Sequence, residues 1–224
     1  MTIYKNCTDF HDIVYCSIGN MKAIVGDNST ITNNGVFEKK DLINLVIPER
    51  INGMRITEIG QYAFGNQKKL VTITINAKIK QINERCFYYC ISLTTINIPS
   101  TVEFIGMNGL SCTTDSFGMS NGILNVYIEY PSALKTIGSF CFEQKEIINF
   151  YYGGFAEPSI ASNLFQGVRT VTIYTPQQMN FGGKVSIAIG TGFFNRKKCI
   201  ITNKRKSNLG ISMKYICVLI FIMS

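Results

Sequence analysis

The sequence predicts a β-rich solenoid of stacked parallel strands with short helical or 3-10 turns on its convex side. Three observations carry that reading. The stretch Leu70–Leu93, LVTITINAKIKQINERCFYYCISL, is restated one period on by LTTINIPSTVEFIG. Ile73, Ile75 and Ile82 return 23 residues later as Ile96, Ile98 and Ile105, while Phe64 and Leu70 anticipate Phe87 and Leu93. Finally, each Thr-Ile-x-Ile segment alternates at period 2, as a strand with one buried face must.

The chain divides into three parts. Residues 1–41 read as an N-terminal β cap, with short strands around Ile13 to Ser17 and Met21 to Val25 joined by Ile18-Gly-Asn20. A solenoid end exposes apolar surface and strand edges, and a cap covers them. Residues 42–176 hold four to five repeats. The first runs Leu45-Val-Ile-Pro48, an insertion around Asn52-Gly53, Ile59-Gly60, Ala63-Phe64 and Leu70. The second is Ile73-Thr-Ile75, Ile82-Asn83, Cys86-Phe87 and Leu93. The third begins Ile96-Asn-Ile98-Pro99 and is enlarged after Ile105-Gly106, through Cys112 and Phe117 to Ile123. The fourth is Val126-Tyr-Ile128, Leu134, Ile137-Gly138, Cys141-Phe142 and Ile148, and a degraded fifth keeps Leu164-Phe165 and Val171-Thr-Ile173. Proline closes a strand because it cannot donate to a ladder. Glycine after Ile at 60, 106 and 138 permits a tight corner at which a side chain would be awkward. No copy buries its own apolar face, so stacking supplies the core.

Residues 177–224 form a basic tail with a short apolar end. Of 22 Lys/Arg and 14 Asp/Glu in the chain, this tail holds eight of the bases and none of the acids, so the whole formal charge of +8 belongs to it. Such a segment favours phosphate-rich partners. Its nine-residue apolar run, Tyr215 to Met223, spans about 14 Å as a helix, against the ~30 Å of a bilayer core. One reading is a shallow anchor on anionic lipid, with Arg196, Lys197, Lys198, Lys204, Arg205 and Lys206 as the lipid-facing charges. The other is an unfolded extension past Thr202, or the result of where the reading frame is taken to end. Nucleic acid is the less favoured partner, because an apolar end has no use on it and no aromatic platform accompanies the lysines.

Chemistry is sparsely furnished. The chain has one histidine, His11, and eight cysteines without a CxxC pair, so zinc-ribbon and dithiol chemistry lack their ligands. His11 beside Asp9 and Asp12 lacks a nucleophile or oxyanion element, and no phosphate-binding glycine loop occurs. No catalytic residue, metal site or cofactor is expected. Cys86 and Cys141 share a slot with Ala63 and read as small core residues. The N-terminus shows neither the basic start nor the apolar core of a secretory signal, so no export route is evident.

The phrase Cys90-Ile-Ser-Leu-Thr-Thr-Ile-Asn-Ile-Pro-Ser-Thr-Val-Glu-Phe-Ile-Gly106, with Ile-Gly-x-x-Ala-Phe at 59–64, resembles the BspA-like leucine-rich repeats of bacterial and protozoan surface antigens. The likeness covers roughly residues 40–176. It implies a right-handed leucine-rich-repeat solenoid without enzymatic activity, acting in adhesion or protein binding at cell surfaces. Gln67 stands where that pattern usually has cysteine, and the third and fifth repeats are irregular.

Strand alternation selects the outward side chains: Asn44, Thr72, Thr95, Asn125 and Thr172 in one row, and Val46, Thr74, Asn97, Tyr127 and Tyr174 in the next. This face of hydroxyls, amides and two tyrosines suits a protein or glycan partner. The plainer reading is that such ladders stabilise a solvent-facing sheet by cross-strand pairs. The expected function is therefore partner binding through the strand face, and the alternative is a peripheral membrane scaffold targeted by the tail. The sequence names neither the ligand nor the oligomeric state.

Overall fold

The computed structural model describes residues 8–10, 13–30, 35, 42–112, 120–143 and 145–195. Each turn of the chain contributes a long strand to one sheet and a short strand to another. The long strands form a seven-stranded sheet, entirely parallel, whose neighbours from the N-terminal edge are Asn44–Ile47, Thr72–Ile75, Thr95–Ile98, Ser120–Ile128, Lys145–Tyr152, Thr170–Thr175 and Ile187–Ala188. The short strands form a nine-stranded sheet, in which two-residue pieces such as Gln81–Ile82, Phe104–Ile105 and Thr136–Ile137 pair in parallel. The architecture is the expected β-rich solenoid.

The core lies between the sheets. Ile73, Ile96, Val126, Phe150 and Ile173 occupy equivalent inward positions, as do Ile47, Ile75, Ile98, Ile128 and Tyr152, and all are buried. Alternation at period 2 thus does what the sequence proposes: one row of β-branched residues faces in and the polar row faces out.

The corners are turns, and each opens on a residue with positive φ: Tyr62, Arg85, Asn108, Phe140 and Asn163. Each of their carbonyls accepts a bond from three residues on, as in Gly65 N–H to Tyr62 at 2.9 Å and Tyr88 N–H to Arg85 at 3.1 Å. Successive corners are stitched together by backbone bonds such as Phe64 N–H to Cys86 at 2.9 Å. Inside them, Phe64 stacks on Phe87 with centroids 5.5 Å apart.

The glycines at the corners act by close approach, since none of the three has a positive φ. A Cβ on Gly106 would come within 2.8 Å of Glu84 N, and one on Gly138 within 2.5 Å of Met107 N. What they admit is the backbone of the preceding coil, packed against them. True left-handed geometry appears instead at Asn52-Gly53, φ 47° and 79°, where the first-repeat insertion folds into the hairpin Arg50–Ile51/Met54–Ile59.

At the N-terminus, Ile13–Gly19 and Lys22–Val25 form an antiparallel hairpin, and its second strand joins Met54–Ile59 in parallel. The cap therefore extends the nine-stranded sheet. Cys16 in it is disulfide-bonded. Cys86, Cys90, Cys112 and Cys141 are buried free thiols, and burial pushes all four up, Cys141 to about 12. Cys7, His11 and Asp12 lie outside the described residues.

Two stretches depart from the sequence reading. Residues 145–152, read only as the closing apolar position of a fourth repeat, are a full strand between Ser120–Ile128 and Thr170–Thr175. Phe150 and Tyr152 fill inward slots that elsewhere hold Ile or Val, which disguises the repeat. Room for Tyr152 is made by Gly154, where a Cβ would lie 2.2 Å from the ring. Beyond residue 176 the sheet gains the strand Ile187–Ala188, a hairpin of Asn180–Phe181 with Lys184–Val185, and a single helical turn, Thr191–Asn195.

Lys145 is buried in the same region and donates to the carbonyls of Leu93 at 2.9 Å and Ile91 at 3.3 Å. The buried Lys145 Nζ thus gives these two backbone acceptors a hydrogen-bond donor.

Candidate binding face

Every strand-face residue proposed from the sequence that the sheet contains is placed outward and in register. Asn44, Thr72, Thr95, Asn125 and Thr172 lie in one row, which Asn149 completes between Asn125 and Thr172. Val46, Thr74, Asn97, Tyr127 and Tyr174 lie in the next, completed by Tyr151 and extended by Ile187. Neither row contains a charged side chain.

The first row is a hydrogen-bonded ladder. Thr72 donates to the Asn44 side chain, Asn149 Nδ2 to Asn125 Oδ1 at 3.0 Å, and Asn125 Nδ2 to the Thr94 backbone carbonyl at 3.2 Å. In the second row Asn97 donates to Thr74 Oγ1 at 3.2 Å. Beyond that pair the row becomes aromatic, and Tyr127 and Tyr151 are joined by a side-chain hydrogen bond as well as by stacking.

Tyr127, Tyr151 and Tyr174 stack ring on ring, with centroids 4.4 and 4.6 Å apart and planes within 15° and 10°. Strands lie about 4.8 Å apart, so parallel register alone brings like residues to stacking distance. Phe193, from the helical turn, packs beside this stack, its ring centroid 5.4 Å from that of Tyr151. With ring faces turned on one another, the stack presents phenol edges and hydroxyls to solvent. Burial, then the neighbouring Tyr127 and Tyr174, pushes the Tyr151 phenol up to about 12, and burial likewise raises Tyr127. The Tyr127 and Tyr151 hydroxyls are therefore neutral donors and acceptors across the physiological range.

Sequence reasoning overlooked Tyr151, Asn149, Ile187 and Phe193. A signal for the first two was present: Ile148-Asn-Phe-Tyr-Tyr152 alternates, and Asn149 follows Asn125 by 24 residues, close to the repeat period. Phe193 had no such signal, because its contact is made from outside the repeat. The tail residues Arg196, Lys197, Lys198, Lys204, Arg205 and Lys206 lie outside the described residues.

Among the described residues no three His, Cys, Asp or Glu side chains converge where a metal ion could be held, and no helix is long and apolar enough to cross a membrane. The concavity near the C-terminal end, about 750 Å³ and lined by Glu157, Asn163, Phe165 and Lys184 among others, is an open groove between corner and hairpin.

Stacked parallel strands, repeated corners and an uncharged outward face define a repeat solenoid with a sheet for its accessible surface. The chain belongs to the BspA-type leucine-rich repeat family, whose model matches residues 29–172 and 114–201 in six copies. Among solved structures, a leucine-rich cell surface protein of Faecalibacterium prausnitzii is 17% identical, covering 77% of this chain and 55% of that one, with a TM-score of 0.46. The leucine-rich repeat protein of T. pallidum is 19% identical over 79% of this chain and 82% of that one, TM-score 0.43. The pneumococcal vaccine antigen PcpA is 16% identical over 80% of this chain and 51% of that one, TM-score 0.42. The chain thus spans about half the length of two of these three proteins. Comparison with curated proteins returns no match.

Proposed function

We propose that this is a non-catalytic binding protein of the adhesion or surface-antigen type, which docks a protein partner on the C-terminal half of its seven-stranded sheet. The observation that carries the reading is the uncharged Tyr127–Tyr151–Tyr174 stack on an outward sheet face. Tyrosine supplies contact area and a hydrogen-bonding tip at low entropic cost, which is why it is enriched where proteins bind each other. A protein is favoured over a glycan because the ring faces a sugar would stack on are already turned to one another. Cross-strand aromatic pairs also contribute stability, about 0.5–1.5 kcal/mol each. That role does not require the row to continue into exposed Ile187 and Phe193, as it does here.

Photocrosslinking tests the assignment. A photoreactive phenylalanine analogue at position 174 is expected to capture a partner in a discrete adduct. The same probe at Asn97 should capture less, and at Thr136 on the other sheet, none. Equal capture from all three positions refutes the strand-face reading.

A further inference from the structure

The tyrosine row is one of three that run across the same strands. Ile123 pairs with Ile147 and Ile147 with Thr170; two residues on come Asn125, Asn149 and Thr172, and two further on Tyr127, Tyr151 and Tyr174. Residues two apart in a strand share a face, so all three rows are outward. The middle row is a polar strip. One margin is aliphatic, with Ile123 43% exposed, and ends in exposed Thr170; the other is the aromatic stack. At ~6.6 Å between rows, the two margins stand ~13 Å apart.

The strip can donate hydrogen bonds. Asn149 Nδ2 uses one hydrogen on Asn125 Oδ1, and Asn125 Nδ2 one on the Thr94 carbonyl. An amide nitrogen carries two, so beyond this ladder each has a second to offer. The strip and its margins hold no charged residue, and Glu146 and Arg169, which precede Ile147 and Thr170, neutralise each other at 3.0 Å. The complement of such a face is an uncharged chain that is rich in exposed carbonyls and apolar at its sides. A helix spends its carbonyls internally. An extended strand repeats every ~6.6 Å, which matches neither one strand spacing of ~4.8 Å nor two. Polyproline II bonds none of its carbonyls internally, and its three-residue turn of ~9.3 Å is close to two strand spacings, ~9.6 Å.

We propose that the part of a partner this face takes is an uncharged, proline-rich segment in polyproline II conformation, laid across the three strands. Its carbonyls accept from Asn125 and Asn149, and its rings pack on Ile123 and Ile147 to one side and on the phenol edges to the other. Proline has no N–H to leave unpaired and is already extended, so little ordering is needed on binding. This inference rests on the reading that the tyrosine face docks a protein, and it names the chemistry of what is docked.

Fluorescence anisotropy of the full chain with a labelled, end-capped oligoproline of about ten residues, ~31 Å long, tests this. Saturable binding is expected, and a capped glycine-serine peptide of equal length should not bind. Asn149→Ala and Ile123→Ser should each weaken binding about fivefold, the one by removing a donor and the other an apolar contact. Ile123→Ser breaks no rung of the ladder, so it carries the test if Asn149→Ala unfolds, and Phe104→Ser on the other sheet should change nothing. The oligoproline should also displace a partner captured through position 174. No oligoproline binding, equal binding of the glycine-serine peptide, or unaltered affinity in Ile123→Ser overturns the proposal. Capture through position 174 that oligoproline fails to displace overturns it alone and leaves the docking of a protein on this face standing.

Discussion

The N-terminal and C-terminal halves of the seven-stranded sheet share one backbone and carry different chemistry on both faces. From Asn44–Ile47 to Thr95–Ile98 the inward residues are Leu and Ile and the outward ones are Asn, Thr and a single Val. From Ser120–Ile128 onward the inward row acquires Phe150 and Tyr152, and the outward row becomes Tyr127, Tyr151 and Tyr174. Register is unchanged across the join, although a longer span of chain separates Thr95 from Asn125 than separates Thr72 from Thr95. The enlargement of the third repeat is absorbed outside the ladder. A parallel ladder fixes where side chains go and leaves what they are open to change, coil by coil.

The largest expected effect is in the core. Phe150 contacts Phe142, Tyr152 and Phe181 at centroid distances of 5.3, 6.0 and 5.1 Å. Its N-terminal counterpart is Ile96. Phe150→Ala should cost about 3–5 kcal/mol in urea unfolding, at or above the cost of Ile96→Ala, about 2–5 kcal/mol. A clearly smaller cost for Phe150 would mean that the aromatic core is looser than the aliphatic one.

Next is the fit between Tyr152 and Gly154. Gly154→Ala puts a Cβ 2.2 Å from the ring and should destabilise by about 1–3 kcal/mol. Adding Tyr152→Ile restores the N-terminal inward residue and should recover most of that loss. Strict additivity in this double-mutant cycle would show that the two positions do not meet.

A smaller effect separates the outward faces. Folding holds protons on Tyr127 and Tyr151, with Tyr151 pushed up to about 12. The stability this contributes is intact below the unfolded tyrosine pKa of about 10 and is lost as pH climbs through the folded value. Spectrophotometric titration should show phenols ionising late, and Tyr127→Phe should bring the Tyr151 transition earlier. An unmoved transition would mean that the two hydroxyls are independent.

The smallest effect lies on the other sheet, where the charge ladder bridges the two halves. Glu103 meets Lys80 and Lys135, each at 2.5 Å, and the Lys135 contact, then Lys80, lowers its carboxyl to about 2. All three side chains reach solvent, so the pairing is screened. Glu103→Gln should leave the melting temperature nearly unchanged at physiological salt, and a large drop would show that the halves depend on this bridge.

The repeat body was legible because a strand with one buried face repeats its apolar residues at period 2 and its coils at a fixed interval. Ile73/Ile75 and Ile96/Ile98 show both. The strand Lys145–Tyr152 was hidden because aromatic residues replaced Ile and no proline marked its end. Two of the three stacked tyrosines were visible, Tyr127 and Tyr174, but stacking is a property of three adjacent strands, and the middle one was missing. Phe193 and Ile187 reach the face through tertiary packing beyond the repeat, which no local pattern encodes. That a side chain would be awkward at Gly106 and Gly138 was legible, but what it would meet was not, since the backbone they accommodate belongs to another coil.

The central claim is that binding resides in the aromatic half. Its most direct test is the affinity of a partner captured through position 174, measured for wild type, Tyr151→Ser/Tyr174→Ser and Thr74→Ser/Asn97→Ser. Central tyrosines removed from an interface typically cost about 2 kcal/mol or more, which corresponds to roughly 30-fold. The account predicts at least that loss for the tyrosine pair and less than about threefold for the polar pair, whose contacts are near-neutral in energy. Equal losses, or a greater loss from Thr74/Asn97, would contradict it.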